Sequence, residues 1–564
     1  DRTILLSGTP VMDEAFYRYT ERDFSVFAPL AVIVVIFCTF IIFRRISASL
    51  IPLTVVALAL IFVFGLMGAL QIKINVITTS LIALVLAVGV ASTIHIIADY
   101  YQQLMAGRSR DEAVNESILT VITPCFFTAA TTAAGMLSLM VSNLKPIRQF
   151  GWLAALAVII AFVLSFTLVP VILRLVKPPG EAFILRQKKG MMGRAISLMG
   201  DPSRTSSIAI LLFTVVLVLV SAYGISLLEV GINPINYYRK SDPILKEALA
   251  VDKALGGSIT IEGMVTAPGQ GLKDPEILQR LDDLERWFES LPGITHVLSP
   301  VDTLKEINRV FHDGNKAHFI LPDSQALAAQ YFLLMEGEED FDSAVQDDYS
   351  VARVTARAEL VNAQDLAIHI PDIENKISEE YQTDELTVII TGFVKLLSDM
   401  EQYLLASQIR SFSLAFTVIT LMMFLLLRSL RLTLFSMIPN LAPIAMGLAF
   451  MGIAGISLDP GTVMIGSIAM GLVVDDTVHF LVRLRRRLKA GDSMQQAIRW
   501  SMHSTGRPIM VTSFVLASGC LVLTLGSFAP NIYFGAISSL IIVLALICDL
   551  VVLPAALIII RPKI

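Results

Sequence analysis

The chain has 564 residues, 55% of them hydrophobic and 16% charged, with a mean hydropathy of +0.71. Soluble domains carry about 25% charged residues, so this composition excludes an ordinary soluble enzyme and points to many apolar spans in a membrane. The net charge of -5 excludes a basic, nucleic-acid-binding chain, and it is unevenly spread: residues 227 to 410 hold 32 of the 48 acids and 15 of the 43 bases, which leaves that block at -17 and the rest at +12.

The chain opens at Asp1 in a polar segment without an n-region, h-region or cleavage site, so no signal peptide is expected and the true N-terminus is expected upstream. A membrane helix needs roughly 20 apolar residues. Eleven such stretches follow, at about 27–43, 50–70, 76–97, 121–142, 150–173, 207–226, 411–427, 434–456, 460–482, 508–528 and 532–560. The first and seventh are short, and both end at arginines (Arg44 and Arg45; Arg428 and Arg431) that can snorkel to the interface. Cys38, Cys125, Cys520 and Cys548 all fall in apolar stretches, so no disulfide framework is expected.

Lys and Arg in short loops set the orientation. Residues 174–206 carry Arg174, Lys177, Arg186, Lys188, Lys189, Arg194 and Arg204 against two acids, and residues 483–507 carry seven bases against Asp492. Both loops, that at 98–120 and the turns at Arg44 and Arg428 are expected in the cytoplasm, and the acidic block at 227–410 on the opposite side. That block alternates strand and helix patterns: strands at Ser258–Thr266, Ile294–Leu298, Tyr349–Leu360 and Leu386–Thr391, with helices at Asp274–Leu291, Asp323–Met335 and Asp365–Tyr381. The order suggests an α+β domain with ferredoxin-like units. The acidic run Glu336–Asp348 reads as a mobile loop.

A shift of 384 residues superposes the two halves, pairing Thr93 with Thr477, His95 with His479, Pro124 with Pro508, Gly135 with Gly519, Phe150-Gly151 with Phe534-Gly535, and Pro170 with Pro554. Upstream, Pro52 and Gly65 match Pro439 and Gly452 at a shift of 387. Two parallel repeats are expected, related by an axis along the membrane normal, with 12 spans in a full chain and 11 present. The expected domains are the tail end of a first porter domain (1–26), a first half of five spans (27–173), a basic cytoplasmic loop (174–206), a lead-in span (207–226), a second porter domain (227–410) and a second half of five spans (411–564).

Ionisable groups inside a membrane are costly and call for a functional hypothesis. In Gly471-Leu-Val-Val-Asp-Asp-Thr-Val-His479, Asp475 and His479 share one helix face, and Asp476 and His479 are three apart. Two adjacent carboxylates in a low-dielectric helix cannot both ionise cheaply, so one should carry a proton. The bland reading is a structural ion pair or interhelical hydrogen bond. For His479, proton relay and structure are both open, since its counterpart His95 lies on a helix with Ala91-Ser92 in place of the acids. Hydroxyls at Thr477, Thr512 and Ser513, with Thr128, Thr131 and Thr132 in the first half, could relay protons or pack between helices. Asp549 reads as an arginine-paired structural residue, with proton transfer as the alternative. Glycines at 65–69, 452–455 and 470–472 suit close helix packing. No phosphate loop or trusted metal-ligand spacing occurs, so no cofactor, metal or enzymatic activity is expected.

These residues resemble the resistance-nodulation-cell division (RND) superfamily, closest to its MMPL-like exporters, kin to hopanoid and lipid exporters and more distantly to Patched and sterol-sensing proteins. The resemblance rests on two six-span halves, a soluble insertion after the first span, GLVVDDTVHF at 471–480, and the segment from Ile232 to Gly257. It implies an all-α transmembrane bundle of two parallel pseudo-repeats plus a ferredoxin-like periplasmic porter domain, in a bacterial inner membrane. It also implies proton-driven export of a lipid or other hydrophobic molecule, with Asp475 and Asp476 as the coupling pair and His479 assisting. The implied partners are that substrate and protons, with a periplasmic carrier or outer-membrane protein as further candidates, an oligomer open and nucleic acid excluded. A sterol- or lipid-sensing protein without net transport is the rival reading.

Overall fold

The structure is a computed structural model that describes residues 5–178 and 203–560. Eleven of the described helices are long and apolar enough to cross a membrane: α1 (Pro10–Ile41), α2 (Ile46–Ala69), α3 (Val76–Met105), α4 (Arg110–Val141), α5 (Lys145–Leu175), α6 (Arg204–Ser226), α7 (Phe393–Leu427), α8 (Leu430–Ile453), α9 (Thr462–Lys489), α10 (Met494–Leu525) and α11 (Ala529–Ile560). The chain is therefore a multi-pass membrane protein. It divides into two compact units, one of residues 1–15 with 231–402, the other of 16–230 with 403–564.

Each expected apolar stretch falls largely within one of these helices, six of them running one to three residues past a helix end, while most helices extend well beyond the stretch on the other side. Hydropathy marks what suits lipid, whereas a helix continues until its backbone is capped. Ser109 with Glu112 caps α4, and Ser493 with Gln496 caps α10. The loops expected at 98–120 and 483–507 thus shrink to the turns at 106–109 and 490–493. Arg186, Lys188, Lys189 and Arg194 of the expected basic loop lie outside the described residues.

Within the membrane unit α3 and α9 are innermost: 78% and 89% of their apolar stretches are buried, against 17% for α6. Polar side chains within the apolar stretches of α3 and α9 therefore mostly face protein, not lipid. Glycine lets α4 lie directly on α9, since a Cβ on Gly135 would stand 2.9 Å from the Ser467 carbonyl oxygen and 3.0 Å from the Gly471 Cα. The same logic joins α6 to α8, where a Cβ on Gly452 would overlap the Gly224 carbonyl. The stretch at 65–69 departs from expectation: nothing lies within 4 Å of a Cβ placed on Gly65 or Gly68, so those glycines pack against nothing. The connections after α1 and α7 turn on Arg44 and Arg428, with φ of 46° and 50°.

The soluble unit holds a four-stranded antiparallel sheet of β1 (Ile259–Thr266), β2 (Ile294–Leu298), β3 (Val351–Ala358) and β4 (Thr387–Thr391), in the order β2-β3-β1-β4. Alternation along β1 and β3 puts Ile261, Val265, Val354 and Ala356 into a core with Leu278, Leu281, Phe288 and Ile370 from helices Pro275–Glu289 and Ala363–Glu380. All four expected strands form. Helices Pro243–Ala254 and Pro300–Phe311 were not expected; each starts with proline behind an Asp or Ser cap. The acidic run at 336–348 is anchored rather than free: Phe341 and Val345 are buried, and Val345 bridges Ala352.

Candidate functional site

Both carboxylates on α9 face a small cavity of about 30 Å³, lined also by Ala87, Ala91, Thr512, Ser513 and Leu516. Room of that size holds one or two water molecules. Asp476 is held by α10: Ser513 Oγ donates to its Oδ2 at 2.6 Å, and Thr512 Oγ1 lies 3.3 Å from its Oδ1 while also 3.0–3.1 Å from the Ile509 and Pro508 carbonyls of its own helix. Asp475 is held more loosely. Its Oδ1 is buried without a hydrogen-bond partner and stands 3.6 Å from His479 Nε2. The two neighbouring acids thus have different surroundings: Asp476 meets the two α10 hydroxyls, whereas Asp475 meets the Thr128 hydroxyl of α4 and faces an imidazole.

His479 in turn stacks on His95 of α3, with ring centroids 3.7 Å apart and planes 10° from parallel. Its Nε2 is 3.8 Å from Cys125 Sγ on α4. One helical turn further along, Arg483 Nη2 meets Asp99 Oδ1 at 3.2 Å, and Gln103 Nε2 donates to the other oxygen of Asp99 at 3.0 Å. Asp99 and Arg483 are 384 residues apart, as are His95 and His479.

Thr477, expected beside the acid pair, serves another acid. Its Oγ1 lies 2.5 Å from Asp549 Oδ1 on α11 and 3.0 Å from Asn440 Oδ1 on α8. Asp549, expected to pair with an arginine, is held by this threonine instead, and it sits on a π-helical turn at Cys548–Val552. In the first half the corresponding contact joins Thr93 Oγ1 to Ser165 Oγ at 3.0 Å. Of the other hydroxyls, Thr128 hydrogen-bonds Asp475 as well as the Cys125 carbonyl of its own helix, Thr131 bonds back to the Thr128 carbonyl, and Thr132 bonds the Gly471 carbonyl across to α9. The structure therefore brings Thr512 and Ser513 to Asp476, His479 and Thr128 to Asp475, and Thr477 to Asp549. Asp99, Arg483, Cys125 and Asn440 escaped sequence reasoning. The offset of 384 between Asp99 and Arg483, opposite in charge, was the one signal that could have found the first two.

The donor atoms of His95, Asp475 and His479 lie within 4.8 Å of one another, close enough to share a cation. The ring stacking argues against one. An imidazole lone pair lies in its ring plane, so two nearly parallel rings 3.7 Å apart cannot both aim at one ion about 2.0–2.1 Å away.

A bundle of membrane helices with carboxylates, imidazoles and hydroxyls gathered around its innermost helix, beside a cavity no larger than a few waters, has the character of a membrane transport protein. Comparison with known proteins agrees. The chain matches the MMPL family over residues 1–205 and 322–561 and belongs to it, within the RND-like superfamily. It is 24% identical over 329 residues to a membrane protein of Methanocaldococcus jannaschii, a match covering 57% of this chain and 82% of that one. It is 22% identical over 495 residues to MmpL11 of Mycobacterium bovis, named for transport, and to MmpL11 of Mycobacterium tuberculosis, named for heme uptake. Those matches cover 84% of this chain but 47% of each relative, so the matched region spans about half the length of the mycobacterial proteins.

Proposed function

We propose that this chain is a proton-coupled transporter that exports a lipid or other hydrophobic molecule from the inner membrane toward the periplasm. The carrying observation is the Asp475–Asp476 pair at a water-sized cavity within the most buried helix, one acid facing His479 and the other held by Thr512 and Ser513. Two such carboxyls can pass a proton between water and the helix interior without both being charged.

Two parallel pseudo-repeats are part of this reading. Pairs separated by 384 residues share their local geometry: the Arg44 and Arg428 turns, the capping boxes at Ser109 and Ser493, and the caps of Asn75 on Thr78 and of Asp459 on Thr462. The ends of α2 and α8, where Gln71 and Gly455 take φ of 55° and 65°, favour 384 throughout and pair Gly68, not Gly65, with Gly452. The sheet order β2-β3-β1-β4 with every pair antiparallel supports a ferredoxin-like porter domain. A pocket of about 360 Å³ lined by Phe16, Phe24 and Ile74 suits an apolar substrate.

Heme, which one relative is named for taking up, is also hydrophobic, and uptake would reverse the direction. The rival is a lipid-sensing protein, left open by Ala91-Ser92 standing where the first half lacks acids. The test uses full-length protein in liposomes with a pH-sensitive dye and an imposed proton gradient. Asp475→Asn and Asp476→Asn should each abolish gradient-driven substrate movement while preserving folding. Wild-type rates in both would remove the coupling assignment and put the sensor first.

A further inference from the structure

We infer that Asp549 is a third proton-binding carboxyl of the bundle, holding its proton in a hydrogen-bond chain that runs from Asp549 through Thr477 to Asn440. The site rests on geometry alone; only its use in transport depends on the coupling proposed above.

The inference follows from counting hydrogens. Asn440 Nδ2 donates to the Ser436 carbonyl at 2.7 Å, which fixes the orientation of its amide and leaves Oδ1 as an acceptor. That Oδ1 lies 3.0 Å from Thr477 Oγ1, and Asp549 Oδ1 lies 2.5 Å from the same hydroxyl. A threonine hydroxyl has one hydrogen. Were Asp549 ionised, one hydroxyl hydrogen would face two acceptors, and a buried oxygen would go without. With the proton on Asp549 every contact is satisfied: Asp549 donates to Thr477, Thr477 donates to Asn440, and Asn440 donates to Ser436. All four residues are buried.

A second observation points the same way. Asp549 Oδ2 is buried with no hydrogen-bond partner, which a neutral carboxyl tolerates far better than a carboxylate. The titratable groups that bear on it are Asp475 of α9 and its neighbour Cys548, and it bears in turn on Asp476; α8 contributes the uncharged Asn440. The site is also one-sided, because Ser165 and Thr93 make the first half's version of the contact without an acid. Losing the proton would reverse the Thr477 hydroxyl toward Asp549 and strand Asn440 Oδ1. Since Thr477 follows Asp476 directly on α9, protonation of α11 is written into the helix that carries the acid pair.

Infrared difference spectroscopy of the full-length protein in lipid nanodiscs at neutral pH tests this. The wild type minus Asp549→Asn spectrum should contain a protonated-carboxyl stretch, and the same stretch should persist in Asp475→Asn. Thr477→Val, which keeps the shape but removes the acceptor, should move it to higher frequency; a merely structural threonine would not. An Asp549→Asn spectrum with no such loss, or an unshifted band in Thr477→Val, would overturn the inference. Loss of the band on adding sodium chloride at constant pH would also overturn it, by assigning the three oxygens to a sodium ion. A band that behaves as expected while Asp475→Asn still transports would leave this site standing and remove the coupling reading alone.

Discussion

His95 and His479 lie face to face, 3.7 Å between ring centroids, each on one of the two innermost helices. Two imidazolium rings at that separation repel strongly, so the stack accommodates one added proton at most. The rings are not equivalent. His479 Nε2 is 3.6 Å from Asp475, whereas His95 Nε2 is buried without a hydrogen-bond partner. In the coupling proposed above, His479 is the ring placed to exchange a proton with the acid, and His95 supplies the surface on which it lies.

This asymmetry gives the first expectation. His95→Phe keeps an aromatic face and should transport at close to the wild-type rate, while His479→Phe should lower proton-driven transport about tenfold. Ser92→Ala, on the half without the acid pair, should be nearly silent. Equal loss in His95→Phe and His479→Phe, measured as rate against imposed pH difference, would mean that both rings move protons.

The second expectation concerns Asp99 and Arg483, whose side chains are 2% and 12% exposed and meet at 3.2 Å. Removing one partner of a buried ion pair leaves an uncompensated charge, at a cost of about 3–5 kcal/mol. Asp99→Asn or Arg483→Met should therefore unfold the protein at markedly lower temperature. Residues at equivalent places in two parallel repeats touch each other only near the axis relating them, so exchanging them should nearly restore the contact. The double variant Asp99→Arg with Arg483→Asp should recover most of the thermal stability lost by either single change. No recovery would argue against an axis there.

The sequence showed the spans, the adjacent acids of α9 and all four strands, because each leaves a local mark: an apolar run, a charge within it, or an alternation; which of its many hydroxyls meet those acids left no such mark. What it hid was non-local. Asp99 and Arg483 look like ordinary charges at the ends of apolar stretches, and only the continuation of α3 to Met105 and α9 to Lys489 carries them inside. Asp549 was seen but given the wrong partner, since nothing near it in the chain announces Thr477, 72 residues away. The glycine-rich stretches at 65–69 and 452–455 suit close helix packing alike by sequence, yet of Gly65, Gly68, Gly452 and Gly455 only Gly452 meets another backbone.

A third expectation addresses sidedness. Lys316 and Lys489 are exposed, and the four native cysteines are buried. Cysteines introduced as Lys316→Cys and Lys489→Cys should therefore be labelled by a membrane-impermeant maleimide from opposite faces of intact cells, Lys316→Cys from outside. Labelling from the same face would overturn the assignment of the basic turns to the cytoplasm.

The last expectation concerns the soluble unit and pH. Glu285 is buried on helix Pro275–Glu289, with Ser299 Oγ donating to its Oε2 at 2.5 Å. Burial, reinforced by the Asp302 carboxyl beside it, pushes Glu285 up to about 8 from an ordinary value of 4.5. Lys305, engaged by Asp282 and, at 3.3 Å, by Asp302, offsets the rise only in part. A carboxyl whose folded value exceeds its unfolded value binds its proton more tightly in the folded state. Its contribution is therefore fully present below about pH 4.5 and is lost as pH rises through about 8. Stability of the soluble unit should fall across that window by on the order of 1 kcal/mol after solvent screening. Glu285→Gln holds the neutral form permanently and should flatten the fall, raising stability at pH 8 relative to wild type. The check is urea unfolding of the full-length protein followed by fluorescence of Trp287, two residues from Glu285, at pH 5 and pH 8. An equal fall in both proteins would place the titrating group elsewhere.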